Sequence, residues 1–170
     1  MLEAAILVVF PVLVAFAAAS DLLTMTIPNR VSLMLAGAFV ALALATGMPL
    51  AQIGLHLLAG LVVLVVSFGL FAAGWMGGGD AKVASAIALW FGFSESLTLF
   101  LLLTAFYGML LTVALVSARQ IPYLPGALRR QEWALRLHDS RSGIPYGIAI
   151  AIAALQVYPQ SGWFTWVPAF

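Results

Sequence analysis

The chain has 170 residues, 64% of them hydrophobic and 8% charged, with a mean hydropathy of +1.12. A soluble domain carries roughly a quarter charged residues, so this composition excludes one and points to an integral membrane protein. The net charge is +1 and cysteine is absent, which removes disulfides, a thiolate nucleophile and Cys-ligated zinc from consideration. No cofactor and no nucleic-acid partner is expected. The length suits one membrane-embedded domain over residues 1–170.

The chain starts without the basic stretch and small-residue cleavage site of a signal peptide, and its first apolar run is expected to remain as a span. Apolar segments that could cross a bilayer, about 20 residues each, fall at residues 4–23, 28–46, 53–75, 81–93, 97–116 and 144–158. The expectation is an all-α, polytopic protein with six transmembrane helices, because an open sheet cannot satisfy its backbone in lipid. Pro28 suits a first helical position, and Gly47-Met48-Pro49 turns the chain after the second span.

The fourth segment is short. At 1.5 Å per residue it rises only about 20 Å against a hydrocarbon core of about 30 Å, which recesses its first residues below the surface. Between the fifth and sixth segments, residues 117–143 carry Arg119, Arg129, Arg130, Arg136 and Arg141 among Leu124, Leu128, Trp133, Leu135 and Leu137. This segment is expected to lie on the inner leaflet, holding either anionic lipid or substrate.

With six spans, these arginines together with Arg30 and Lys82 all fall on one side of the membrane or at its edge. The positive-inside rule makes that side cytoplasmic and leaves both termini non-cytoplasmic. Tyr158, Trp163 and Trp166 are then expected to form an aromatic anchor at the outer interface.

Six acids exist: Glu3, Asp21, Asp80, Glu95, Glu132 and Asp139. Glu3 and Glu95 fall on the outer side, and Glu132 and Asp139 lie among the loop arginines, where solvated ion pairing accounts for them. Asp21 and Asp80 remain, at similar depth on the basic side. Two carboxylates sharing a site do not both ionise easily. One then holds a proton while the other activates water, which is the chemistry of an aspartic dyad. Each also has a local alternative: Asp80 as a helix cap, and Asp21 in headgroup water. By their helix positions, Asp80 is expected to be the charged member and Asp21 the protonated one.

Other machineries lack their residues. No H-E-x-x-H pair or G-x-S-x-G elbow is present, and His56 and His138 fall on opposite sides, each as an interfacial histidine. Gly77, Gly78 and Gly79 before Asp80 are expected to bend the backbone sharply and to admit a close chain. No metal site is expected.

Gly77-Gly78-Gly79-Asp80-Ala81-Lys82, followed by Ala86, Trp90 and Gly92, resembles the G-x-G-D-x-K segment of type IV prepilin peptidases. Ser20-Asp21 followed by Ile27-Pro28-Asn29 resembles the segment around that family's other aspartate. Ile144-Pro145-Tyr146-Gly147 is similar to its Pro-aromatic-Gly motif, although here Ile148-Ala149 follows where a second proline would stand. The resemblance implies a membrane aspartic endopeptidase of the bacterial inner membrane, with Asp21 and Asp80 catalytic and a prepilin cut at the cytoplasmic face. It makes Pro28, Asn29, Gly77, Gly78, Gly79, Lys82, Pro145, Tyr146 and Gly147 supporting or substrate-contacting residues, and the pilus-assembly machinery a partner.

Larger members of that family carry an N-terminal region with paired Cys-x-x-Cys and also methylate the product. This chain has no cysteine, and is similar to the small peptidase-only form of the tight-adherence (Flp) type. Two rivals stay open on the residues alone: a proton-coupled transporter or channel subunit, and a non-catalytic membrane protein of pilus assembly.

Overall fold

A computed structural model describes residues 1–122, 124, 126 and 128–166; the side chain of Trp166 lies outside the described residues. Among the described residues seven α-helices follow in order: α1 (Leu2–Thr24), α2 (Asn29–Ala45), α3 (Leu50–Ala72), α4 (Gly78–Phe91), α5 (Glu95–Arg119), α6 (Glu132–His138) and α7 (Gly147–Val157). Single 3-10 turns cover Leu128–Arg130, Tyr158–Gln160 and Gly162–Trp166.

Three helices, α1, α3 and α5, are long and apolar enough to cross a bilayer, whereas α2 has 17 residues, α4 has 14 and α7 has 11. The predicted segments therefore correspond to α1 to α5 and α7, with shifted ends. α3 starts directly after Pro49 and stops before a left-handed turn at Gly74, φ 76°. α4 begins at Gly78, three residues earlier than expected, which brings Asp80 inside its first turn. α7 begins only at Gly147, because Pro145 interrupts the backbone ahead of it.

The core is built around α4, which packs against α3, α2, α7 and α5. From Asp80 to Phe91 every residue is buried except Lys82. A helix that is apolar around its whole circumference has no solvent or lipid face and must be enclosed by others. α3 comes closest, since Gly60 sits beneath Leu89 and a Cβ there would be 3.2 Å from the Ser85 carbonyl oxygen. Small residues at such contacts let two backbones approach in an apolar medium.

The short α4 ends inside the protein, so its last carbonyls need donors from elsewhere. His56 of α3 bonds the Leu89 carbonyl through Nδ1 at 2.7 Å, and Trp163 Nε1 donates to the Trp90 carbonyl at 2.8 Å. His56 is thus an internal cap, stacked on Phe39, rather than an interfacial residue.

The expected aromatic anchor is corrected in the same place. Tyr158 and Trp163 are each 2% exposed and pack with Phe10, Phe39 and Trp90. Their rings fill the volume beyond the end of α4, and the Tyr158 hydroxyl donates to the Ile6 carbonyl at 2.7 Å. Buried Tyr and Trp find partners for their polar atoms in this way.

In the basic segment, α6 packs against α1 and α5. Arg136 donates to the Leu23 carbonyl at the end of α1, and Arg119 donates to the carbonyls of Leu137, Ser142 and Gly143. These two guanidinium groups hold the segment to the bundle, while Arg130 and Arg141 are exposed.

Replacing Trp163 by Phe removes the donor to a buried carbonyl while keeping an aromatic ring. It should lower stability in detergent by about 1–3 kcal/mol, measured by thermal or denaturant unfolding. A lipid-facing tryptophan would show almost no such loss.

Candidate active site

At the end of the bundle opposite this aromatic cluster, α1 finishes while α2, α4 and α7 begin. Asp21 occupies the last turn of α1 and Asp80 the first turn of α4; they are 6% and 9% exposed. The two carboxylates are within electrostatic range of each other.

Each carboxylate lies against the start of a helix. The Gly147 N–H, first in α7, donates to Asp21 Oδ2 at 2.7 Å. Asp80, third residue of α4, turns back toward the backbone N–H of Gly77, the cap residue; its Oδ2 is 2.6 Å from the place a Cβ on Gly77 would take. The unpaired N–H groups of a helix start favour an anion. The asymmetry expected from sequence, with Asp80 at a positive helix end and Asp21 at a negative one, is therefore reduced: the tertiary fold brings the start of α7 to Asp21.

The three-glycine run serves approach rather than bending. Gly77 has φ −70° and Gly78 and Gly79 are already helical, so the sharp turn falls earlier, at Gly74. Gly79 matters because a Cβ there would meet Ile27 Cβ at 3.3 Å. On the other side of Ile27, a Cβ on Gly147 would meet Ile27 Cδ1 at 2.9 Å and Asp21 Oδ2 at 2.8 Å. Ile27 thus fills the space between the starts of α4 and α7 and is itself buried.

The turn carrying Ile27 is pinned by hydroxyl groups. Ser20 Oγ donates to the Thr26 carbonyl at 2.8 Å, and Thr24 Oγ1 donates to the Ser20 carbonyl at 2.7 Å. Met25 closes α1 in the left-handed region, φ 56°, unusual for a residue with a side chain. Pro28 caps α2 with φ −61°, one position before the helix rather than within it. Ile27, Thr24, Thr26 and Met25 were not singled out from sequence for this role. The Ser/Thr clustering around Asp21 was the available signal, since such hydroxyls bond nearby backbone in turns.

Of the other residues named from sequence, Lys82 Nζ donates to Asn29 Oδ1 at 2.9 Å. Pro145 is buried, and Tyr146 lies across Gly108 of α5 with its hydroxyl donating to the Thr104 carbonyl at 3.3 Å. A Cβ on Gly78 would meet the ring of Phe71 at 3.2 Å. His138 lies at the end of α6. Among the described residues no group of three His, Cys, Asp or Glu side chains could hold a metal ion.

Two cavities adjoin the bundle without including either aspartate. One, of about 510 Å³, runs along α2, α3 and α4 from Asn29 and Lys82 to Leu89. The other, of about 870 Å³, lies at the opposite end beside His56, Trp163 and Glu95. The aspartates are approached instead past Gly77, which is exposed, and the half-buried Gly78 and Gly79.

The type IV leader peptidase family matches residues 8–113, more than half of the chain, and the chain belongs to that family. It is accordingly a protease with prepilin as its substrate class. The matched region holds α2 to α4 and most of α1 and α5, so both aspartates lie within it. No curated protein and no solved structure matches the chain.

Gly147→Ala should cost peptidase activity about 100-fold, because the added methyl displaces Asp21 or Ile27 and misplacement by about 1 Å has that order of effect. Cleavage rates on protein purified to equal amounts check it.

Proposed function

We propose that this member of the type IV leader peptidase family is an aspartic endopeptidase whose catalytic pair is Asp21 and Asp80, acting on tight-adherence (Flp-type) prepilins at the cytoplasmic face of the bacterial inner membrane. The observation that carries this reading is the convergence of two buried carboxylates, from helices separated by more than 50 residues of chain, at a single end of the bundle.

The chemistry follows from the pair. Buried carboxylates in electrostatic contact share a proton more readily than they both ionise. The ionised member takes a proton from water as that water attacks the scissile carbonyl carbon. The protonated member hydrogen-bonds the carbonyl oxygen and then supplies the proton that the leaving amine needs. The titration belongs to the pair. No step requires a metal or a cofactor. The exposed Gly77 gives an extended substrate backbone its approach to the pair.

In this reading residues 1–170 act as one membrane-embedded peptidase domain with six spans. The aspartate end carries Arg30, Lys82, Arg119, Arg129, Arg130, Arg136 and Arg141, and the positive-inside rule turns it toward the cytoplasm. Both termini then face away from it, and Arg130 and Arg141 meet anionic headgroups. A transporter is a poorer fit, because its coupling acids sit near the middle of the membrane, at the break in a helix, whereas these two lie at helix ends.

Co-expression with an Flp-type prepilin should give a leader-sized mobility shift for the wild type and none for Asp21→Asn or Asp80→Asn, both of which should still insert. An amide keeps the shape but cannot exchange the proton. Retained cleavage in either variant would refute the pair, and an inert wild type would favour an assembly role. Topology is checked separately: reporter fusions at residue 48 should behave as non-cytoplasmic and those at residue 130 as cytoplasmic.

A further inference from the structure

The hydrogen bond from Lys82 to Asn29 joins the two segments that carry the aspartates. Lys82 follows Asp80 by two residues in α4, and Asn29 opens α2 directly after Ile27 and Pro28. The donor is the one exposed side chain between Asp80 and Phe91. Its ammonium donates to the side-chain oxygen of Asn29 at 2.9 Å.

Helix geometry shows what this bond can control. At 100° per residue, Gly79 and Lys82 lie about 60° apart on one face of α4, while Asp80 lies about 160° from Lys82. The face turned to the α1–α2 turn therefore bears both the Gly79–Ile27 contact and the Lys82–Asn29 bond. Asp80 projects from another side, toward Asp21.

The other side-chain hydrogen bonds that tie α4 to its neighbours lie at its far end, where Trp90 Nε1 donates to the Leu35 carbonyl at 3.0 Å and His56 and Trp163 reach the carbonyls of Leu89 and Trp90. Apolar burial has little directional preference, so around the first turns of α4 the Lys82–Asn29 bond is the directional tie to another element nearest Asp80. A side-chain carboxylate rides about 5–6 Å from the helix axis, and a rotation of about 10° moves it about 1 Å.

We infer that Asn29 and Lys82 are positioning residues for the peptidase reaction: their hydrogen bond fixes the orientation of the first turns of α4 and so holds Asp80 in register with Asp21, without contacting substrate. Pro28 makes the lock stiff, since its ring fixes φ in the residue before Asn29. Asp80 thereby acts through a bond made on the far side of its own helix. The inference rests on the dyad reading above.

The test measures kcat and KM on a prepilin substrate with full-length protein in proteoliposomes. Lys82→Met and Asn29→Leu should each lower kcat by about 10- to 100-fold and leave KM within about twofold, since no ground-state substrate contact is lost. The double variant should be no worse than the poorer single, because both remove one interaction. Asn29→Asp keeps an oxygen acceptor for the ammonium and should retain most of kcat. A raised KM in Lys82→Met with Asn29→Leu silent would overturn the inference, as would single effects that multiply in the double variant.

If Asn29→Leu fails to accumulate, Asn29→Gln takes its place, displacing the acceptor by one methylene. A second measurement does not depend on turnover. The natural chain has no cysteine, so an Asp21→Cys, Asp80→Cys protein can be cross-linked with a short bis-thiol reagent. Lys82→Met in that background should slow the cross-link, and an unchanged rate would overturn the inference. A wild type that cleaves no prepilin while the cross-link responds as expected would refute the dyad reading instead and leave the lock in place.

Discussion

α4 is enclosed on nearly every face and is too short to reach both ends of the bundle. From those two constraints most of the structure follows. Its backbone satisfies itself in the middle, but the first N–H groups and the last carbonyls have no partners within the helix. In a medium without water each would cost several kcal/mol if left alone. The protein therefore supplies partners from neighbouring elements at the far end, and these are among its most specific features.

At the far end the caps come from aromatic and imidazole side chains. His56 and Trp163 bond the carbonyls of Leu89 and Trp90, and the rings of Phe10, Phe39, Trp90 and Tyr158 occupy the room that a longer helix would have filled. At the near end Asp80, in the first turn, turns its carboxylate back toward Gly77. Capping and chemistry are compatible uses of one carboxylate, since a capped oxygen is also an oriented one. The same economy applies to Asp21, which accepts from the first N–H of α7.

Between the starts of α4 and α7 lies a side chain with no chemistry. Ile27 packs against Gly79 and Gly147, and its bulk sets how closely α4 and α7 can approach α1. Directional restraint comes from polar contacts on the edge of the same assembly: Lys82 with Asn29, and the hydroxyls of Ser20 and Thr24 with the backbone of their own turn. Non-directional packing sets the distance between the elements, and hydrogen bonds set their angles. Both are needed where two acids from remote parts of the chain must meet.

The sequence by itself determined the medium, the helical class and the two acids worth attention. A mean hydropathy of +1.12 with 8% charged residues points to a lipid-embedded chain, backbone satisfaction in lipid makes it helical, and among six acids Asp21 and Asp80 stand out by their shared depth on the basic side. Runs of apolar residues are local, so the elements were legible to within a few residues. The tertiary structure decided what depends on contact at a distance. It assigned Tyr158 and Trp163 to the core rather than to the lipid interface, because the rule for interfacial aromatics does not know that α4 ends early. It turned His56 into a cap, moved the bend from Gly77 to Gly74, and gave Asp21 a helix start 126 residues away that no local pattern announces. Residue type and period record what a segment prefers, but a partner's position is set by how all the helices pack together.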